Sequence, residues 1–302
     1  MTPAREVRLV LGFSPGSLSD HIARMLQDAL SAALESHVAI ELKPGDQGMT
    51  AAREVARAKP DGATLFMATL GTHAIVPFLA AQPPYDPLAD FTPLALVSRS
   101  PMLLAAHPSV GARDVQSLIE IAQHRQLAYA TSAIGGAPHL AAALFARLAR
   151  VSMRHVRYDR TERLYEDLAA GRVDLSFNNI ISMLPRCRSG ELTALAVTSP
   201  QRSPVASDIP SLAQSGLADY DMSNWAGIVG PRGMPPATAD RVSAAITKAV
   251  NAENVSAAFR SQGMIPCGDD ASAFAHFMRV ERERWRPVLD DIRAGSDEHR
   301  TQ

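Results

Sequence analysis

Gly12, Phe13, Ser14, Pro15 and Gly16 follow the apolar run Val7 to Leu11 and precede a helical pattern. G-x-S-x-G between a strand and a helix is the nucleophile elbow of serine hydrolases, which makes Ser14 a candidate for acyl transfer. In an elbow the residue after the serine gives its backbone N–H to the developing oxyanion. Here that residue is Pro15, which has no N–H to give and drives Ser14 toward extended geometry, away from the strained turn the elbow needs. A serine hydrolase using Ser14 is therefore kept only as an alternative. What remains is a strand, a Gly/Ser loop and a helix start, and the free N–H groups and dipole of such an end bind anions.

The same device occurs twice, at residues 7–20 and again at 128–140, where LAYATSAIGGAPH runs from strand through loop to helix. Two such ends from different sub-domains, facing one another, make a clamp for a small carboxylate. The nine histidines are dispersed, without H-E-x-x-H or a Cys/His cluster, so neither a metal nor a cofactor is expected. Cys187 and Cys267 fit no metal spacing; two unpaired thiols and a disulfide both remain open.

These loops must be positioned by regular elements, and strand-then-helix patterning runs almost end to end, the mark of an α/β fold with mainly parallel strands. Ile22, Met25, Leu26, Ala29, Leu30, Ala33 and Leu34 recur at helical spacing over about 18 to 35, and Ser17 with Asp20 forms a capping-box variant at its start. VAIEL, TLFMAT, QLAYAT, MRHVRY, VDLSF and LTALAVTS read as strands, with helices over about 48 to 58, 161 to 170 and 180 to 189. The last seventy or so residues read as mainly helical. At 302 residues the chain suits two domains of ordinary size, and 46% apolar with 20% charged residues describes a soluble globular protein. A formal net charge of −1 and only 5% aromatic residues give no basis for a nucleic-acid partner. No apolar run approaches the roughly 20 residues of a membrane span, and the N-terminus shows no basic-then-apolar leader. Either the protein is cytosolic or a leader has been removed.

With these blocks in hand, the chain resembles the Bug-type extracytoplasmic solute receptors of tripartite tricarboxylate transporters. VRLVLGFSPGSLSDHIARML is similar to that family's opening strand, P-G-G-x-x-D loop and first helix. AKPDGATLFMAT, GTHAIVP, PYDPLADFTPLALV, LAYATSAIGGAPHLAAALF, RHVRYDR, GRVDLSFNN, GELTALAVTSPQRSP and IPSLAQSGL follow in the family's order. The resemblance implies a type II periplasmic-binding-protein fold: two α/β lobes joined by two crossover strands, with the ligand cleft between them. Crossings are expected near Met102 to Ala106 and Trp225 to Val229, giving lobe one as 1–103 plus 226–302 and lobe two as 104–225. It implies a periplasmic location with the leader removed, a monomer, and delivery of a small organic acid to the membrane subunits of a tripartite tricarboxylate transporter. A ligand-sensing partner of a membrane signalling protein is the alternative of the same architecture.

Carried over residue by residue, the ligand-binding positions are Phe13, Ser14, Gly16, Ser17, Asp20, Thr72 and His73, with Thr131, Ser132, Gly135, Gly136, His139, Arg157 and Asn178 from the second lobe. Asp20 is open to two readings, helix cap or ligand contact, and His73 and His139 are open to structural ones. Three departures from the family pattern stand out. Ser17 replaces a glycine and Gly136 replaces a hydroxyl residue. Arg157 and Arg160 replace a proline and a glycine, and are either solvated loop residues or a bidentate grip for a second carboxylate.

Overall fold

The computed structural model describes residues 6–80, 82–132 and 135–298. Contacts divide the chain into two compact units: one takes the chain up to Arg99 and again from Trp225 onward, the other is Ser100–Asn224. In chain order the first unit begins with β1 (Val7–Leu11), α1 (Leu18–Leu34), β2 (Val38–Leu42), α2 (Met49–Ala56), β3 (Thr64–Thr69) and α3 (Val76–Leu79). Strand β4 (Phe91–Ala106) carries the chain from the first unit into the second. There follow α4 (Val115–His124), β5 (Leu127–Thr131), α5 (Ala137–Ala149), β6 (Met153–Arg157), α6 (Thr161–Ala169), β7 (Leu175–Asn179), α7 (Ile180–Arg188) and β8 (Thr193–Val197). β9 (Ser223–Pro231) returns, and α8 (Pro236–Asn251), α9 (Glu253–Ser261), β10 (Ile265–Asp269) and α10 (Ala271–Glu298) complete the first unit.

In the first unit β1 lies between β2 and β3, parallel to both, with Val7 opposite Val38 and Leu9 opposite Leu65. This is the expected βαβ arrangement, and its core is the inner face of β1 and β3 packed on α1, α8 and α9. Leu9, Leu11, Leu65 and Met67 meet Ile22, Leu26, Leu30, Ile246 and Phe259, all within one cluster of buried side chains. At about 2 kcal/mol for each large apolar side chain removed from water, this cluster is the main source of the unit's stability. Helix α1 ends where Glu35 turns left-handed at φ 52. The expected predominance of parallel strands does not hold throughout. β9 is antiparallel to β3, with Phe66 opposite Val229, and β10 is antiparallel to β4, with Ile265 opposite Arg99. Neither joins its neighbour through a crossover helix, so nothing imposes the parallel sense. In the second unit β5 is parallel to β6 and β7, while β7 and β8 are antiparallel to β4. Its core joins Leu103, Ala130, Leu164, Leu168, Ile180, Met183 and Val197.

The connections that carry the candidate residues leave the C-terminal ends of parallel strands, where ligands of open α/β sheets bind. In the first unit two of them, after β1 and after β3, are locked to the β2–α2 connection by glycines. A Cβ on Gly12 would stand 2.5 Å from the Gly48 Cα, and one on Gly48 would stand 2.7 Å from Thr72 Cγ2 and 3.3 Å from Phe13 Cζ. By contrast, a Cβ on Gly16 would meet nothing within 4 Å, although its φ of +79 is left-handed. Gly12→Ala is therefore expected to cost about 1–3 kcal/mol, because backbone has to move, and Gly16→Ala about 1 kcal/mol from φ strain alone. Urea denaturation of the two variants checks the order; equal costs would show that the loops are not in contact as described.

Among the described residues no helix is long and apolar enough to cross a membrane, and no group of three or more His, Cys, Asp and Glu is placed to hold a metal. Cys187 in α7 and Cys267 in β10 are both unpaired, and burial pushes their thiols up to about 11 and about 12.

Candidate functional site

In the first unit the β1–α1 connection is organised by Ser17 and Asp20. Ser17 sits at φ −67, ψ 162, ordinary extended backbone, so the side chain that replaces glycine here carries no conformational cost. Its hydroxyl accepts the Asp20 N–H at 3.4 Å and caps α1. Asp20 is 3% exposed; its Oδ2 accepts the Gly16 N–H at 2.8 Å and its Oδ1 faces Arg24 Nε at 2.8 Å. The Gly16 donor and Asp20 Oδ2 are thus engaged within the loop itself, while the buried Oδ1 accepts no hydrogen bond and has only the ion-pair contact with Arg24 on α1. Ser14 is exposed, and its carbonyl accepts the Ser17 N–H at 3.2 Å. Phe13 is half-buried against Gly48.

Gly71–Ile75 makes a π-helical turn after β3, a distortion that frequently marks functional positions. Thr72 is fully buried there. Its Oγ1 accepts the Thr69 N–H at 3.0 Å and lies 3.0 Å from His73 Nδ1, while its carbonyl accepts the Tyr85 hydroxyl at 2.7 Å. His73 turns inward among Phe66, Tyr85 and Phe91, with ring centroids 4.8 to 6.1 Å away. Desolvation holds its imidazole neutral, with a pKa lowered to about 3. Tyr85 is raised above its ordinary value, first by burial and then by the nearby Asp46 carboxylate.

A segment that sequence reasoning passed over lies beside Phe13 and Thr72. Gly45, Asp46, Gln47 and Gly48 have φ of 150, 48, 54 and 91, four positive values in succession, and of these only Asp46 and Gln47, which are not glycine, are strained by it. Strain of this kind, of order 1–3 kcal/mol per residue, concentrates at ligand clamps and switch regions. The K-P-G-D-Q-G composition signals a turn, but nothing local marks the turn as strained.

In the second unit Thr131 ends β5, fully buried, with Oγ1 2.6 Å from His155 Nε2. Ser132 is exposed. Gly135 has φ 72 and gives its N–H to His139 Nδ1 at 2.9 Å. Gly136 is the N-cap of α5 at φ −71, ψ 162 and offers no side-chain cap, so the first-turn N–H groups of Ala137 and His139 keep their donor capacity, Pro138 between them having no N–H. His139 is 7% exposed, and burial followed by the neighbouring His155 lowers its pKa to about 4. Arg157 stands opposite Thr131 in the strand register, more than half exposed, with Asp159 at 3.4 Å. Arg160 is exposed beside Glu162 at 3.6 Å. Asn178 on β7 is half-buried and accepts the Asn179 N–H at 3.1 Å. His155, which holds Thr131, has no place among the positions carried over from the sequence, because strand register is what brings it there.

Comparisons with known proteins bear on the family and the fold. A family model described as the tripartite tricarboxylate transporter family receptor matches residues 22–293. BugT of Bordetella pertussis is 28% identical over 295 residues, 97% of this chain and 90% of that protein. Among solved structures, R. palustris Rpa4515 with adipate is 31% identical at a TM-score of 0.80, covering 97% of this chain and 98% of that one. MatC from Rhodopseudomonas palustris with bound malate is 29% identical at a TM-score of 0.77, covering 95% and 99%. The family match and the similar solved structures together define a two-lobe solute-binding receptor of the periplasmic-binding-protein type, not an enzyme. More particularly, the chain belongs to the tripartite tricarboxylate transporter receptor family, the Bug-type receptors.

Proposed function

We propose that this protein captures a small organic carboxylate in the periplasm and hands it to the membrane subunits of a tripartite tricarboxylate-type transporter. The reading has the lobes close on the ligand as a hinged jaw, with one strand–loop–helix end from each lobe meeting the anion. The observation that carries it is the start of α5: a helix N-terminus without a side-chain cap, at the end of a parallel strand, in a chain of this family. A carboxylate taken out of water needs its charge matched by donors, and orphan N–H groups at a helix start supply them without a fixed cation. Adipate and malate, bound by two related proteins, define the chemical class to test first. Ser14, Ser17 and Ser132 would add hydroxyl donors, and Arg157 a second-carboxylate contact.

The experiment is a thermal-shift screen against di- and tricarboxylates, aromatic acids and acidic amino acids. A ligand at 100 times its Kd adds about 2.7 kcal/mol to the stability of the form that binds it, a displacement of several degrees. A flat panel, with mass spectrometry of the denatured protein showing no co-purified acid, would overturn the carboxylate reading.

A further inference from the structure

Three aromatic rings in the second unit form one cluster that joins the middle of β5 and β6 to the first turn of α5. Tyr129 and His155 are register partners on β5 and β6, with ring centroids 4.9 Å apart and planes 20° from parallel. His139 of α5 closes a triangle with them, its ring centroid 4.3 Å from that of His155 with planes 10° from parallel, and 6.0 Å from that of Tyr129 with planes 27° from parallel. Each imidazole makes one further contact with the connection that precedes α5. His155 Nε2 meets Thr131 Oγ1 at 2.6 Å, and His139 Nδ1 accepts the Gly135 N–H at 2.9 Å. The second contact is possible only while Nδ1 of His139 carries no proton, which makes that ring the neutral Nε2–H tautomer.

The surroundings favour the neutral pair. The groups facing the two rings are Tyr129 and Thr131 from β5, each ring's partner imidazole, and Arg157 on β6 itself, whose guanidinium acts on His155 as a like charge. The Arg157 guanidinium is shared with Asp159. Burial opposes a charge on either ring, and a charge on one opposes a charge on the other. A proton placed on His139 Nδ1 turns an acceptor into a second donor facing the Gly135 N–H, and that contact must open.

We propose that His155 is a positioning residue for the ligand loop ahead of α5, and that with His139 it forms a latch that holds only while His139 Nδ1 carries no proton. Acidification then opens the Gly135–His139 contact, frees the start of α5 and weakens the hold on an anion bound there. The inference rests on the reading that this loop binds ligand, and it adds a residue and a proton dependence that the reading itself does not contain.

The test has two arms. In ligand-free protein, the Gly135 amide and the His139 ring are followed by NMR from pH 8 to pH 4. The Gly135 amide is expected to lose its hydrogen-bonded signature in step with His139 protonation, and in His155→Gln the common midpoint is expected to move. A Gly135 amide indifferent to pH, or a His139 ring already protonated at pH 7, overturns the latch, whether or not any probe acid binds. In the second arm adipate and malate are the probes. His155→Ala is expected to weaken whichever of them binds by about tenfold at pH 7.5, the size of one lost hydrogen bond and its packing. His155→Gln, which keeps a donor to Thr131, is expected to restore most of that affinity. The ratio of wild-type to His155→Gln affinity, in which the probe's own protonation cancels, is expected to rise as pH falls, because without the opposing His155 charge the variant's His139 takes up its proton at higher pH. Equal affinity in all three proteins with a constant ratio refutes the positioning role while leaving carboxylate binding intact; failure of both probes to bind bears on the functional reading and leaves the NMR arm to decide the latch.

Discussion

Glu281→Ala is expected to destabilise the protein by about 3–5 kcal/mol, the range for breaking a buried charged contact by removing one partner. Glu281 lies on α10 and is 3% exposed. Its Oε2 accepts the indole N–H of Trp225 at 3.1 Å and that of Trp285 at 3.0 Å, and its Oε1 accepts from Arg284 at 3.0 Å. Alanine leaves two buried indole donors without this acceptor and removes one partner of the Arg284 guanidinium, so the desolvation of the indole N–H groups goes uncompensated. Trp225 opens the first-unit part of β9, so the carboxylate also fixes the residue at which the chain re-enters that unit. Glu281→Gln keeps one acceptor oxygen and is expected to cost less, about 1–3 kcal/mol. Chemical denaturation of the three proteins at pH 7 measures both values; a cost below about 1 kcal/mol for the alanine variant would show that the indoles find other acceptors.

The second large effect is a loss of stability in mild acid. His73 and His139 are lowered in the folded protein to about 3 and about 4, from the 6.5 of an unperturbed imidazole, and His155 is lowered as well. Desolvation is the leading cause in each, joined by His155 for His139 and by Arg157 for His155. Below pH 6.5 the unfolded chain takes up protons that the folded chain refuses, so each histidine favours unfolding increasingly until the pH reaches its folded value. At roughly 1.4 kcal/mol per pH unit for one proton, His73 and His139 would each remove about 3 kcal/mol between pH 6.5 and pH 4. Urea denaturation at pH 7 and pH 4.5 measures the drop, and His73→Gln isolates one proton's share from the carboxylates that titrate in the same range. An unchanged pH slope in that variant would mean that His73 is already charged at neutral pH or freely hydrated.

Much of the local structure is legible from residue spacing. The apolar repeat from Ile22 to Leu34 predicts α1 to within one residue, and TLFMAT matches β3 residue for residue. Helices expected over 161 to 170 and 180 to 189 fall at Thr161–Ala169 and Ile180–Arg188. Two strands escape the same reasoning. Pro93 and Pro101 break the sixteen residues of β4 into short apolar blocks, and Pro266 and Gly268 make β10 read as a turn. Pro93 lies near the start of β4 and Pro101 falls between Arg99, which faces β10, and Met102, which faces β7, while Pro266 sits at the register shift of β10, positions at which a strand tolerates proline.

Among the candidate site residues, those governed by near neighbours follow the same division. The Ser17 cap and the Asp20 return to Gly16 lie within four residues, and their pattern is visible in S-x-x-D and the glycine before it. Pro15 removes the oxyanion donor of an elbow by its covalent structure alone, which no tertiary contact can restore. The Gly12–Gly48–Thr72 lock and the cluster of Tyr129, His155 and His139 join residues from separate elements. By itself the sequence determined the repeated strand–loop–helix ends, the helix caps and the family, because these depend on residue types at short spacing. Only the tertiary structure decided which loops touch, which imidazoles stay neutral and which residue supports Thr131, because strand register and burial arise from packing between elements.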